Sequence, residues 1–258
     1  MKIKDIIGGT KKRKKRGSRL KRLRQQSLFD NKPIKEGGKV FPDAIPFDHD
    51  MIPGIMKSIN SVLAKTNSKA LPIGSGATPT SGKISGDLDM IVDLGQLKQH
   101  FKMPDAKDAD VRKKLRQVFD LAGFKTAQTG TSVHVEVPMA DHTHQVDIMV
   151  VADGEAASKI HTHNIPQGSK FKGLNKMIAL AKLAKNKGMK FSPYRGIVNR
   201  ETDELITNDL DKIAKTLVSP NASGKDIGSV ESIVSALGKE GPAFLADLRA
   251  DPNWKELD

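Results

Sequence analysis

Residues 73–92 read Ile73-Gly74-Ser75-Gly76-Ala77-Thr78-Pro79-Thr80-Ser81-Gly82-Lys83-Ile84-Ser85-Gly86-Asp87-Leu88-Asp89-Met90-Ile91-Val92, a Gly/Ser loop that runs into a strand from Leu88 to Leu94. On a strand, side chains two apart share a face, so Asp87 and Asp89 project together while Leu88 and Met90 face the other way. Two carboxylates on one face repel unless a cation lies between them. Hard divalent cations such as Mg²⁺ take oxygen ligands and keep positions open for water and substrate phosphate. Asp147 is the candidate third carboxylate. It lies in the apolar run His144-Gln145-Val146-Asp147-Ile148-Met149-Val150, where a charge is costly unless it faces a site. The three carboxylates converge if that strand lies beside Leu88–Leu94.

The loop before the strand supplies groups suited to phosphate. Gly74, Gly76, Gly82 and Gly86 let backbone N–H groups approach phosphate oxygens, Ser75 offers a hydroxyl and Lys83 a point charge. No Gly-Lys-Ser/Thr opens a helix here, so a P-loop nucleotide hydrolase is disfavoured.

Working outward, Ile52, Ile55, Met56, Ile59, Val62 and Leu63 recur at helical spacing behind Asp50 as N-cap, and Leu71-Pro72-Ile73 reads as a short strand. Val111, Leu115, Val118 and Phe119 mark a helix over Asp108–Ala122. Val133, Val135 and Val137, then Val146, Ile148 and Val150, mark two strands joined through a Pro138–Thr143 turn. His134 and Glu136 share the face opposite the valines, which puts one of them beside Asp147 or both on a solvated sheet face. A short helix is expected over Glu155–Ile160. A stronger one covers Phe171–Lys187, with Leu174, Met177, Ile178, Ala181 and Ala184 inward, lysines outward and Gly188 as its stop. A β excursion over Phe191–Ile206 and three short helices at about 209–218, 228–237 and 242–250 complete the chain, with Trp254 a packing anchor for the last. His142-Thr143-His144 and His161-Thr162-His163 match no zinc-ligand spacing and read as turn-rich structure.

The 258 residues carry a net charge of +13, and twelve Lys/Arg against one Asp within residues 1–24 account for +11 of it. The extreme basicity therefore belongs to an N-terminal arm, and the body is close to neutral. Lys11, Lys12, Arg13, Lys14, Lys15 and Arg16 are the centre of that arm. Such a run binds polyanions through counterion release without sequence preference, and the favoured partner is nucleic acid. No aromatic residue interleaves it, so base stacking by the arm is not expected. The absence of cysteine excludes disulfides, thiolate nucleophiles and Cys-ligated zinc. No run of about 18 apolar residues exists to span a bilayer, and no apolar signal segment follows the first charges, so an intracellular protein is expected, in cytoplasm or nucleoid, with no membrane partner.

Gly74-Ser75, Gly86-Asp87-Leu88-Asp89 and the later Val146-Asp147-Ile148 resemble the signature of the DNA polymerase beta-like nucleotidyltransferase superfamily. Within it the chain looks most like a compact family X DNA polymerase: Ser81–Asp89 is similar to that family's Arg-Gly-x-Ser-Gly-Asp-x-Asp run, and Phe171–Gly188 with Met189–Gly196 to its nucleotide-side subdomain. The resemblance covers roughly residues 50–206. It implies an α+β fold, with a nucleotidyltransferase palm of helices on a mixed β-sheet, then a smaller α/β subdomain and C-terminal helices. The expected division is an arm and linker over 1–49, a palm over 50–165 and the second subdomain over 166–258. Asp87, Asp89 and Asp147 would hold two Mg²⁺ ions, with Mn²⁺ able to substitute. Ser75 and the backbone near Gly74 and Gly86 would hold the triphosphate of an NTP or dNTP, with Lys83, Asn175 and Arg195 as further nucleotide contacts. The implied reaction adds a nucleotide to a nucleic-acid 3′-hydroxyl, DNA favoured over RNA, with release of pyrophosphate. RNA ends, a protein hydroxyl, or an inactive nucleic-acid-binding scaffold are the alternatives.

Overall fold

The computed structural model describes residues 40–256 apart from 78, 162, 163 and 167. The basic arm, including Lys11–Arg16, and His163 lie outside the described residues.

The strands are β1 (Phe47–Asp48), β2 (Leu71–Pro72), β3 (Ile84–Ser85), β4 (Asp87–Asp93), β5 (Lys125–Thr129), β6 (Ser132–Met139), β7 (His142–Val151), β8 (Met189–Ser192), β9 (Gly196–Asn199) and β10 (Leu205–Thr207). The helices are α1 (Ile52–Leu63), α2 (Leu94–His100), α3 (Asp108–Leu121), α4 (Gly154–His161), α5 (Gly173–Asn186), α6 (Leu210–Leu217), α7 (Val230–Ala236) and α8 (Gly241–Arg249). A five-stranded mixed sheet has the order β2-β4-β7-β6-β5, with β4 and β7 parallel and the other pairs antiparallel. The architecture is thus α+β. No described helix is long and apolar enough to cross a membrane.

Strand alternation divides the sheet into two faces. Leu88, Met90 and Val92, with Val146, Ile148 and Val150 and with Val133, Val135 and Val137, form one buried core with Ile52, Ile55 and Ile59 of α1 and Val111, Leu115 and Phe119 of α3. Truncating one of these fully buried side chains to alanine is worth about 2–5 kcal/mol of stability. The opposite face carries the polar residues of the same strands. Asp93 fixes where β4 stops: its carboxylate accepts from Gln96 N at 3.0 Å, capping α2, and from Gly154 N at 3.1 Å, at the start of α4.

A second core joins α5, Phe191 of β8, Ile197 of β9 and residues of α6, α7 and α8. The β8–β9–β10 sheet sits at its margin, with order β10-β9-β8. Trp254 packs on Phe171 with ring centroids 5.5 Å apart and contacts this core, as expected of an anchor.

Several sequence expectations are corrected. Asp50 does not cap α1; Asp48 accepts from Asp50 N at 2.9 Å, starting a short turn before the helix, and α1 opens with Pro53 in its first turn. Of the two readings open for residues 25–49, a linker or an irregular wrap, the described part at 40–49 is the wrap, since Phe41, Ala44 and Phe47 are buried and β1 pairs with β3. In α5, Leu174 is exposed, whereas Lys176 is buried and donates to Ile160 O at 2.9 Å. A carbonyl on the neighbouring helix lets a lysine occupy an inward position that the helical pattern assigns to solvent. The hairpin between β6 and β7 is also tighter than expected, with only Ala140 and Asp141 between the strands.

Candidate active site

The parallel register of β4 and β7 sets the site. Asp89 stands opposite Asp147, and Asp87 opposite Gln145. On the other side of β7, His134 stands opposite Asp147 and Glu136 opposite Gln145. The polar face therefore has two rows, Asp89–Asp147–His134 and Asp87–Gln145–Glu136, the second extended by Lys125 opposite Glu136. The convergence expected of Asp87, Asp89 and Asp147 is produced by this pairing, which brings together residues almost 60 positions apart.

Each acidic side chain in the rows has a different environment. Glu136 accepts from Thr143 Oγ1 at 2.8 Å and pairs with Lys125 Nζ at 3.0 Å, so its charge is compensated. Asp147 has Oδ1 within 2.7 Å of His134 Nδ1 and accepts from Gln145 Nε2 at 2.9 Å. His134 is nearly buried, and its Nε2 is 2.6 Å from Thr129 Oγ1. His134, itself held by Thr129, and Gln145 thus hold one oxygen of Asp147, fixing the carboxylate and leaving Oδ2 outside that network.

Asp87 and Asp89 have no such support among the described residues. Asp87 is half-buried and its carboxyl is raised above the usual range, first by burial and then by the charge of Asp147. Asp89 is exposed, and its carboxyl is pushed up to about 7 by desolvation and then by the charges of Asp87 and Asp147. His134 works in the opposite direction on both groups. A carboxylate raised by its neighbours' negative charge is a position where a cation is favoured. Among the described residues no three His, Asp or Glu side chains already form a closed metal-ligating group. The donor chemistry nevertheless suits a hard divalent ion, being three carboxylates on one face of adjacent strands, two of them without a cationic partner among the described residues.

The loop before β4 abuts this face. Ile73 N donates to Asp89 O at 3.0 Å, so the tight turn at Gly74–Ala77 begins beside the carboxylates. Gly74 has φ +58, a left-handed conformation that favours glycine. Gly76 is pinned from below, since a Cβ there would run into the buried Leu88 side chain. Ser75 is exposed, with its Oγ 3.4 Å from Ser85 Oγ. Gly86 is exposed with open space where a Cβ would be, and Lys83 is exposed.

Asn175 and Arg195 have other attachments. Asn175 is buried at the start of α5, accepting from Lys172 N at 3.3 Å and donating to Lys255 O at 3.0 Å. Arg195 binds Asp203 through its carboxylate at 2.8 Å and its carbonyl at 2.7 Å, bracing the β8–β10 sheet. The residue next to it, Tyr194, is the one turned to the site. It packs with Ile73, Ile91 and Met149, stacks beside His161 at 5.2 Å, and its hydroxyl is pushed up to about 12 by burial and then by the charges of Asp89 and Asp147. Lys182 of α5 pairs with Asp247 at 2.9 Å and Lys190 of β8 with Asp203 at 3.2 Å. His144 is a core residue, with Nδ1 2.9 Å from Ile45 O and its ring against Phe47.

Sequence reasoning left His134 undecided between site and solvated face, and missed Thr129, Gln145 and Tyr194. Gln145 carried a usable signal, being two residues before Asp147 and so on its face; Thr129 and Tyr194 carried none.

No protein-family model matches the sequence, and no curated protein matches it. Among solved structures the chain is similar to Leishmania infantum polymerase beta in a ternary P/T complex, with TM-score 0.42 and 15% identity over 70% of this chain and 71% of that one. The ternary gap complex of the same polymerase gives TM-score 0.43 and 13% identity over 70% and 66%. A cytoplasmic RNA terminal U-transferase gives 0.29 and 14% over 60% and 46%. At TM-scores below 0.5 these likenesses carry no assignment of activity.

Proposed function

We propose that the chain is a divalent-cation-dependent nucleotidyltransferase that moves a nucleoside monophosphate from an NTP or dNTP to a nucleic-acid 3′-hydroxyl, in the manner of a compact family X DNA polymerase. One observation carries the reading: Asp87, Asp89 and Asp147 share one face of adjacent parallel strands, with two of them uncompensated, beside a glycine turn that presents Ser75. Asp87, Asp89 and the free oxygen of Asp147 would hold Mg²⁺ or Mn²⁺. When bound, such ions supply Lewis-acid stabilisation of charge on the attacking and leaving oxygens of an in-line displacement.

The chain's own residues supply orientation. His134 and Gln145 hold Asp147 in one rotamer, which places its second oxygen without reorganisation at the moment of reaction. The Ser75 hydroxyl and the open backbone at Gly74 and Gly86 suit the β- and γ-phosphates. As the bond from the 3′-oxygen to the α-phosphorus forms, the bond from that phosphorus to the bridging oxygen breaks, the hydroxyl proton is lost to solvent and pyrophosphate leaves. The basic arm at Lys11–Arg16 is assigned to phosphate-backbone affinity on the same reading.

The test is incubation with labelled nucleotides, Mg²⁺ or Mn²⁺, and a panel of primer, primer–template, gapped duplex and tRNA, with Asp89→Ala alongside. Transfer to a DNA 3′-end that the variant lacks is the expected result. Untemplated addition to tRNA would redirect the acceptor to RNA ends. No transfer to any acceptor would overturn the reading.

A further inference from the structure

The turn at Thr80–Ser85, whose last residue has its Oγ 3.4 Å from Ser75 Oγ, is gripped from outside the palm sheet by the segment at 47–50. β1 pairs with β3, with Phe47 opposite Ser85 and Asp48 opposite Ile84. His49 N donates to Lys83 O at 2.9 Å, and Ser81 Oγ donates to Asp50 Oδ2 at 2.9 Å. At the centre lies His49, only 1% exposed. Its Nδ1 accepts from Thr80 N at 3.1 Å, and its Nε2 is 2.7 Å from Ser85 Oγ.

The hydrogen-bond direction in this chain is not free. A backbone N–H only donates, so Nδ1 must be unprotonated, and the neutral ring then carries its hydrogen on Nε2. Nε2–H donates to Ser85 Oγ. Ser85 Oγ in turn lies 3.4 Å from Ser75 Oγ, a contact in which either hydroxyl can donate.

We propose that His49 is a positioning residue: in its neutral form it clamps the turn at Thr80–Ser85 and, through Ser85 Oγ, positions the Ser75 hydroxyl for the phosphates of a nucleoside triphosphate. This rests on the site being a nucleotide site. A second proton, on Nδ1, would face the Thr80 N–H head on, so the ring cannot gain charge and keep the clamp. The charged groups around it are Asp48, Asp50 and Lys83. Burial first and then Lys83 hold the His49 ring below its ordinary 6.5, while Asp48 and Asp50 pull the other way. The clamp is therefore complete above pH about 6.5 and is lost as pH falls through the lower value of the folded protein.

The experiment is amide hydrogen exchange of the peptide spanning residues 79–86 from pH 5 to 8, expressed as protection, together with ATP titration in the presence of Mg²⁺, on wild type, His49→Asn, His49→Gln and His49→Ala. An asparagine carboxamide oxygen can take the place of Nδ1 and has no proton to gain. Expected are protection at Thr80 that falls at acid pH in wild type, persists without pH dependence in His49→Asn, and is absent in His49→Gln and His49→Ala. ATP should bind His49→Ala about 10–100-fold more weakly, the size of one lost hydrogen bond to a charged group. Equal protection in folded His49→Ala, or pH-independent protection in wild type, would overturn the clamp. Wild type that shows the exchange pattern but binds no ATP would instead overturn the nucleotide reading.

Discussion

The polar face of the central sheet holds two populations of carboxylate within two rows. On β6 and β7, Glu136 has Lys125 and Thr143, and Asp147 has His134 and Gln145. On β4, Asp87 and Asp89 stand one strand away with no cationic partner among the described residues, and both are pushed up. The first population shows what this fold does with a structural charge, which is to satisfy it. The second departs from that habit, and an unsatisfied charge retained on a rigid strand is the physical mark of a site that waits for a ligand.

The sharpest way to break the comparison is to remove the unsatisfied member. Asp89→Ala should lower nucleotide transfer by about 10³-fold or more, corresponding to several kcal/mol of lost charge stabilisation, with the fold intact by circular dichroism. Removing a support should cost less. His134→Ala frees the Asp147 rotamer and should weaken Mg²⁺ affinity or activity about 10–100-fold, while His134→Asn, able to donate to the same oxygen, should recover part of it. A third contrast is thermodynamic. Asp89 is raised from 3.8 to about 7, so the folded protein holds a proton that the unfolded chain has lost, and stability falls as pH rises from about 4 to 7 and then levels. Asp89→Asn should accordingly be more stable than wild type at pH 8 without Mg²⁺, by about 1–2 kcal/mol after solvent screening at an exposed group. Added Mg²⁺ should raise the melting temperature of wild type more at pH 8 than at pH 6. The smallest effect belongs to the compensated pair: Lys125→Ala should shift the melting temperature little and leave transfer unchanged, since Lys125 is exposed.

Period-two alternation made the shared face of Asp87 and Asp89 legible, and a lone charge in an apolar strand singled out Asp147. The parallel β4–β7 register was not legible, because it pairs strands separated by α2, α3, β5 and β6, and no local pattern encodes that distance. β5 escaped notice for a related reason: Lys125-Thr126-Ala127-Gln128-Thr129 has no apolar alternation and owes its state to pairing with β6. The 40–49 segment was hidden by Pro42 and Pro46, although Phe41 and Phe47 bury almost completely. Lys176 and Asn175 show the limit of helical patterns, since backbone carbonyls at Ile160 and Lys255 accept hydrogen bonds from these inward polar groups. His49 had no sequence signal at all, because its partners Thr80 and Ser85 come to it through the β1–β3 pairing.

The central claim is that the unsupported carboxylates of β4, with Asp147, hold divalent cations. The most direct measurement is Mn²⁺ binding followed by the loss of its free electron paramagnetic resonance signal, at pH 8, on wild type and Asp89→Asn. Saturable binding by wild type that the folded variant loses is predicted; equal binding by both proteins, or none by either, would contradict it.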